Sequence, residues 1–212
     1  MQVFPTKTPD FVKSLFPQFL WHLPDNEKVL YLTFDDGPTP EITDWVLNCL
    51  ENYNAKATFF CIGKNIDLHP LIFDQVLAKG HVIGNHTYHH LKGWKSRTKT
   101  YMTDVSKTQD LIQEKTDSKL FRPPYGKFKS SQARKLLRDD YTIVLWDVLS
   151  YDWDQSVSPE KCFNNVISKA RNGSIIVMHD SVKASNNLKY ALPRILDHFT
   201  QEEYHFKSLP LF

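Results

Sequence analysis

The chain reads as an α/β protein, a parallel sheet covered by helices. Two patterns predict this. Its strand-like runs are short and almost continuously apolar, as in residues 29–34 and 174–178, which suits strands buried on both faces. These runs alternate with segments whose apolar residues recur at helical spacing, the order expected of βαβ units. With 212 residues, 41% of them hydrophobic, the chain is long enough for one domain with a full core. It holds about seven strand–helix units, a count that fits both an open doubly wound sheet and a closed barrel.

Residues 1–28 carry Pro5, Pro9, Pro17 and Pro24 and are expected to form an irregular lead-in packed on a single domain, 29–212. Strand 29–34 ends at Asp35-Asp36-Gly37-Pro38. Thr39-Pro40 then suits an N-cap and first turn, and Ile42, Val46, Cys49, Leu50 and Tyr53 mark the helix behind it. Residues 57–62 form the next strand. A helix over 70–79 stops at Gly80, and strand 81–84 opens on a histidine-rich loop. An amphipathic helix covers 98–114. Residues 120–122 are extended, because Pro123-Pro124 excludes a helix there. Helix 131–138 precedes an apolar strand, 141–148. A helix runs from Ser158-Pro159 to Asn172-Gly173, followed by strand 174–178 and a last helix, 188–199, kinked or restarted at Pro193.

Composition narrows the function. Lys and Arg number 26 against 24 Asp and Glu, a net charge of +2 with no basic block in the sequence, so no nucleic-acid partner is expected. No apolar run approaches the length of a membrane span. Cys49, Cys61 and Cys162 are too few and too scattered for a disulfide scaffold or a four-thiolate zinc site. The odd count leaves a free thiol, and Met1-Gln2-Val3-Phe4-Pro5 lacks the pattern of a secretory signal. A cytoplasmic location is therefore expected, with action at the cell envelope left open.

Five clusters carry chemistry. Asp35 and Asp36 repel each other unless a positive charge is near. In an extended chain they face opposite ways, so one can hold a metal while the other faces a substrate. The same run also makes a good turn. His86 and His90, in Asn85-His86-Thr87-Tyr88-His89-His90, are four apart and share a face on one helical turn, as zinc requires, with His89 pointing elsewhere. A carboxylate from another segment would complete a two-histidine, one-carboxylate set. Arg122, in Phe121-Arg122-Pro123-Pro124-Tyr125-Gly126, can pin a carboxylate or serve only a surface ion pair. His179, after an apolar strand, is a proton donor near neutral pH or a core-edge histidine. Asp147, Asp152, Trp146 and Trp153 supply carboxylates and aromatic faces that suit a sugar ring, or simply core. These clusters fall at the C-terminal ends of predicted strands, where α/β folds bind ligands.

Taken in order, Thr33-Phe34-Asp35-Asp36-Gly37-Pro38, then His86-Thr87-x-x-His90, Arg122-Pro123-Pro124-Tyr125, Asp152-Trp153 and the strand ending in His179 resemble the polysaccharide deacetylase family, the NodB homology domain or carbohydrate esterase family 4. The resemblance spans about Val29 to Leu209. It implies a distorted (β/α) barrel of seven strands. It implies Asp36, His86 and His90 as ligands for zinc, with cobalt or another divalent ion as a substitute. It further implies Asp35 as general base, Arg122 as the group orienting it, the Tyr125 N–H as an oxyanion donor and His179 as general acid. Ile176, Trp153 and Asp152 are expected on the substrate side, Ile176 against the acetyl methyl. Many members have Asp where this chain has Leu149, so Asp147 or Asp152 would have to support His179. The implied activity is metal-dependent removal of N-acetyl groups from N-acetylglucosamine-containing glycans. An O-acetyl esterase, a sugar-binding module without turnover and a metal phosphohydrolase are the competing readings.

Overall fold

A computed structural model describes residues 5–24 and 26–212, so the first four residues of the expected lead-in, and Asp25, lie outside the described residues. The centre of the sheet is β1 (Val29–Asp35), flanked in parallel by β2 (Ala57–Cys61) and β7 (Ile175–His179). Beyond β2 lie β3 (Val82–Asn85), β4 (Leu120–Phe121) and β5 (Thr142–Ile143), and beyond β7 lies β6 (Val148–Leu149). All these pairings are parallel, and the order β5-β4-β3-β2-β1-β7-β6 curls into a half-barrel, as the family resemblance implied. A short β8 (His205–Phe206) pairs with the start of β1.

Every residue of β1 is buried, which is why its sequence does not alternate. Its two faces still differ. Leu30, Leu32 and Phe34 pack into the main core with α2 (Ile42–Glu51) and α8 (Ser185–Gln201), while Val29 and Tyr31 join the cluster inside the curl. Parity therefore sends Thr33 and Asp35 to the inside as well. The same parity in β7 puts Ile176 and Met178 in the main core, and Val177 and His179 on the cleft side.

Several elements differ from expectation. The strand expected over 141–148 is two dipeptide strands, because the chain crosses from the β4 side of the sheet to the β7 side between them. The lead-in supplies the missing partners. Leu20 N–H donates to Ile143 O at 2.9 Å, Leu145 N–H donates to Leu20 O at 2.8 Å, and Leu149 N–H donates to Thr6 O at 2.8 Å. Such coverage removes an open sheet edge. Within this segment α1 (Asp10–Leu15) is helical rather than irregular. A helix not foreseen, α3 (Gly63–Leu68), precedes α4 (Pro70–Ala78), and α8 runs as one helix through Pro193. Helices α5 (Thr98–Gln113) and α6 (Ser130–Arg138) lie close to their expected places, while α7 (Pro159–Ile167) starts where expected but stops well short of Asn172-Gly173. Among the described residues no helix is long and apolar enough to cross a membrane.

Candidate active site

The C-terminal ends of β1, β3, β4 and β7 open into a cleft of about 520 Å³ lined by Asp35, Asp36, His86, His90 and His179. On one side, Asp36 Oδ1 lies 3.8 Å from His86 Nε2 and 3.4 Å from His90 Nε2. The three ligand atoms are within 4.8 Å of one another. His86 Nδ1 lies 2.8 Å from the Arg122 carbonyl. A carbonyl only accepts, so Nδ1 carries the proton and Nε2 presents its lone pair toward Asp36. Asp36 Oδ1 is buried and, among the described residues, has no hydrogen-bond partner. An orphaned carboxylate oxygen facing two imidazole lone pairs is costly unless a cation joins them, so the donor set fits a divalent metal.

The histidine pair is not on a helical turn, in contrast to what its spacing suggests. It sits on a loop in which Thr87 and His90 take positive φ, 63° and 54°. Asp104 of α5 holds that loop, accepting from Tyr88 N–H at 2.8 Å and His89 N–H at 2.9 Å, with its other oxygen 2.6 Å from His89 Nδ1. His89 is thereby turned away from Asp36. Burial, then the neighbouring His86, pushes His90 down to about 4, and burial also lowers His86 against the pull of Asp35 and Asp36. Both imidazoles are thus kept neutral, the state a metal ligand requires.

Arg122 is fully buried inside the curl, its guanidinium 4.2 Å from the Phe60 ring centroid. Its Nη1 donates to Asp35 Oδ1 at 2.8 Å and to Thr33 Oγ1 at 2.6 Å, and Nη2 donates to Leu145 O at 3.0 Å. Burial acts to raise the Asp35 carboxyl, but the Arg122 charge, helped by His179 across the cleft, holds it below its usual value, so Asp35 is ionised at neutral pH.

Across the cleft, His179 Nδ1 lies 2.9 Å from Asp152 Oδ1, and His179 N–H donates to Asp152 Oδ2 at 2.7 Å. Burial alone would lower His179; Asp152, with Asp36 and Asp35, raises it to about 9. The Trp153 ring sits 4.7 Å from the imidazole and stacks on Tyr151 at 4.8 Å. The facing wall is His90–Tyr125–Trp94, with ring centroids 4.7 and 5.4 Å apart. Tyr125 itself takes φ 60°. Gly126 lies so close to the Trp146 ring that a Cβ there would stand 2.2 Å from it, so no side chain fits.

Several expectations are corrected here. Asp152 does not line the cleft; it is fully buried behind His179 and receives Ser150 Oγ–H at 2.9 Å. Ile176 is in the core, because three residues along a strand reverses the face; Val177 and Leu149 line the cleft instead. Asp147 lies at the opposite end of the sheet, bound by Lys13, by Lys7 at 3.0 Å and by Ser174 Oγ–H at 2.6 Å. Sequence reasoning misses Asp180. It is buried, accepts Gly37 N–H at 3.0 Å and Thr43 Oγ–H, and so braces the loop that carries Asp36. Burial, then Asp36, raises it to about 7. The signal that could have found it is its place directly after His179.

Residues 22–144 match the family model for polysaccharide deacetylase. A peptidoglycan-N-acetylglucosamine deacetylase of Bacillus cereus is 34% identical over 192 residues, 89% of this chain and 90% of that one. The peptidoglycan-N-acetylmuramic acid deacetylase of Bacillus subtilis is 31% identical over 84% of this chain, which spans 37% of that longer protein. A solved peptidoglycan N-acetylglucosamine deacetylase superposes with a TM-score of 0.88 at 32% identity, covering 97% of each chain.

Proposed function

The chain belongs to the polysaccharide deacetylase family, and from that premise we propose that it hydrolyses the acetamide of N-acetylglucosamine units in a glycan such as peptidoglycan, with a bound divalent metal. The observation that carries the reading is the orphaned Asp36 Oδ1 facing His86 and His90, with an ionised Asp35 beside it and a charged His179 opposite.

Asp36, His86 and His90 would hold the metal, zinc being suited to that donor set, and when bound it supplies Lewis acidity toward water and a carbonyl oxygen. Asp35 accepts the proton of the attacking water at the oxygen Arg122 leaves free. The Arg122 bond fixes that carboxylate's direction and keeps it ionised. The Tyr125 N–H donates to the oxygen that gains charge, a contact of a kind worth about 3 kcal/mol of barrier. His179 keeps its Nδ1 on Asp152 and gives the Nε2 proton to the departing nitrogen, which leaves poorly unless protonated. Acetate and a free amine result. Trp153 and Tyr125 offer faces for the sugar, and Leu149 with Val177 an apolar floor for the acetyl methyl.

Acetate release from N-acetylglucosamine hexamer, peptidoglycan and acetylated xylan tests this, using protein as purified, stripped by chelator and resupplied with zinc or cobalt. Release from the first two that vanishes on stripping and returns with metal is expected. Release from xylan alone would replace the reading with an esterase. Stoichiometric metal without release from any substrate would leave a sugar-binding module.

A further inference from the structure

Two segments thirty residues apart come together beside the cleft and make a surface the sequence does not show as a block. Residues 92–99 hold Lys92, Lys95, Arg97 and Lys99, and no acid. Residues 127–138 hold Lys127, Lys129, Arg134, Lys135 and Arg138, and again no acid. They interlock through Lys129 Nζ donating to Ser96 O at 2.8 Å, Gln132 Nε2 donating to Gly93 O at 3.0 Å, and Thr98 Oγ1 2.8 Å from Ser131 Oγ. All nine basic residues but Lys127 are exposed. Among the described residues, none of those eight is in an ion pair with an acid. Asp110 and Asp139 share a groove with Lys99 and Lys135, so acids adjoin the patch there. These nine come from 26 basic residues in the chain, leaving 17 against 24 acids everywhere else. A net charge of +2 thus hides a strong polarity, with the positive end joined to the cleft, where Lys92 and Lys127 stand beside Trp94.

Resting on the deacetylase reading, we infer that this basic face is an extended binding surface for a glycan that carries its own carboxylates. A neutral sugar polymer is held by aromatic faces and hydrogen bonds and draws nothing from a field of nine cations. A glycan bearing carboxylates along its length gains at each one, and its approach is steered toward the cleft. The face opens directly into the site where an acetamide is cleaved, so its ligand must present an acetylated sugar as well as charge. That favours an acidic glycan over a polynucleotide. A lipid surface is disfavoured because none of the exposed large apolar side chains falls within 92–99 or 127–138.

The test compares the wild type with an Arg97→Glu, Lys99→Glu, Arg134→Glu variant, and with the matching Gln triple, each checked for helix content. All three positions are exposed, so the fold is not at stake. The first probe is insoluble peptidoglycan stripped of its phosphodiester-linked polymers, in a sedimentation assay at about 50 mM and about 500 mM salt. Expected is wild-type binding at low salt that falls at high salt, with an apparent Kd about tenfold weaker in the Glu triple and intermediate in the Gln triple. The second readout is the ratio of kcat/KM on carboxylated glycan strands to that on neutral hexamer, which should fall about tenfold in the Glu triple. Equal binding by wild type and both triples overturns the inference. So does binding that disappears with the phosphodiester polymers, or tighter binding of a single-stranded polynucleotide than of the stripped glycan. A wild type that releases no acetate from either glycan yet binds with this salt and charge dependence overturns the deacetylase reading and sustains the basic surface.

Discussion

Two histidines flank the same pair of carboxylates and end in opposite charge states. His90 is pushed down to about 4 and His179 up to about 9. Burial lowers both, so burial does not explain the difference. The neighbours do. His90 has another imidazole 5.1 Å away and shares the Asp36 charge with it. His179 has a buried aspartate to itself, bound at both the ring and the backbone N–H. One side of the cleft is therefore built for lone pairs and the other for a proton, and each side is wrong for the other's task.

The largest effect should come from breaking the lone-pair side. His86→Ala removes one of the three donors proposed to hold the metal and also frees the Arg122 carbonyl. We expect metal content by elemental analysis to fall below stoichiometry and kcat/KM to drop by about a thousandfold or more. Full activity with intact metal content would show that Asp36 and His90 suffice. Next comes the proton side. Asp152→Asn keeps the shape and removes the charge that raises His179. In the proposed mechanism the acid form is the one that works, so wild-type activity should fall as pH rises through about 9. In the variant that limb should move down toward 6.5, the ordinary value, with kcat lower by about a hundredfold. Stability follows the same sign: the raised His179 contributes fully below 6.5, and the contribution is lost as pH rises through about 9. An unmoved alkaline limb would remove Asp152 from its role.

Asp147 sharpens the same contrast with a smaller effect, on stability alone. Sequence offers Asp147 and Asp152 as equal supports for His179; the fold sends Asp147 to the other end, under Lys13 and Lys7. Lys13→Ala breaks a buried ion pair and should cost about 3 kcal/mol in denaturant unfolding, while the alkaline limb of the rate profile stays where it was. A shift of that limb would mean the two ends of the sheet are coupled.

How much was legible depends on whether a feature is local. Strands β1, β2 and β7 were legible because burial on both faces leaves continuous apolar runs. The break between β5 and β6 was not, since Leu20, far away in the chain, takes up the backbone bonds there. The identities of His86 and His90 were legible, but not how they converge, which depends on positive φ at Thr87 and His90 and on Asp104 from α5. The position of Ile176 is not legible from its offset to His179 alone, because three residues along a strand reverse the face. The basic face is not legible because neither 92–99 nor 127–138 is extreme alone; only contacts such as Lys129 to Ser96 join them.

Among the variants inside the cleft, Leu149→Asp should have the smallest effect on rate, and it tests the contrast most directly. Many members of the family carry Asp here, which made Leu149 look like a missing support for His179. In the fold Leu149 is buried against Tyr151 and Val177, at the apolar floor of the cleft. His179 Nδ1 is already taken by Asp152. A carboxylate at 149 therefore finds no vacant bond on that histidine and enters an apolar setting without a partner, at a cost of about 1–3 kcal/mol. We expect kcat/KM to stay level or fall by about threefold as the proposed acetyl contact is lost, with a lower Tm. A gain of about a hundredfold would instead mean that Asp152 alone leaves His179 underpowered, and the two sides of the cleft would then differ in completeness rather than in kind.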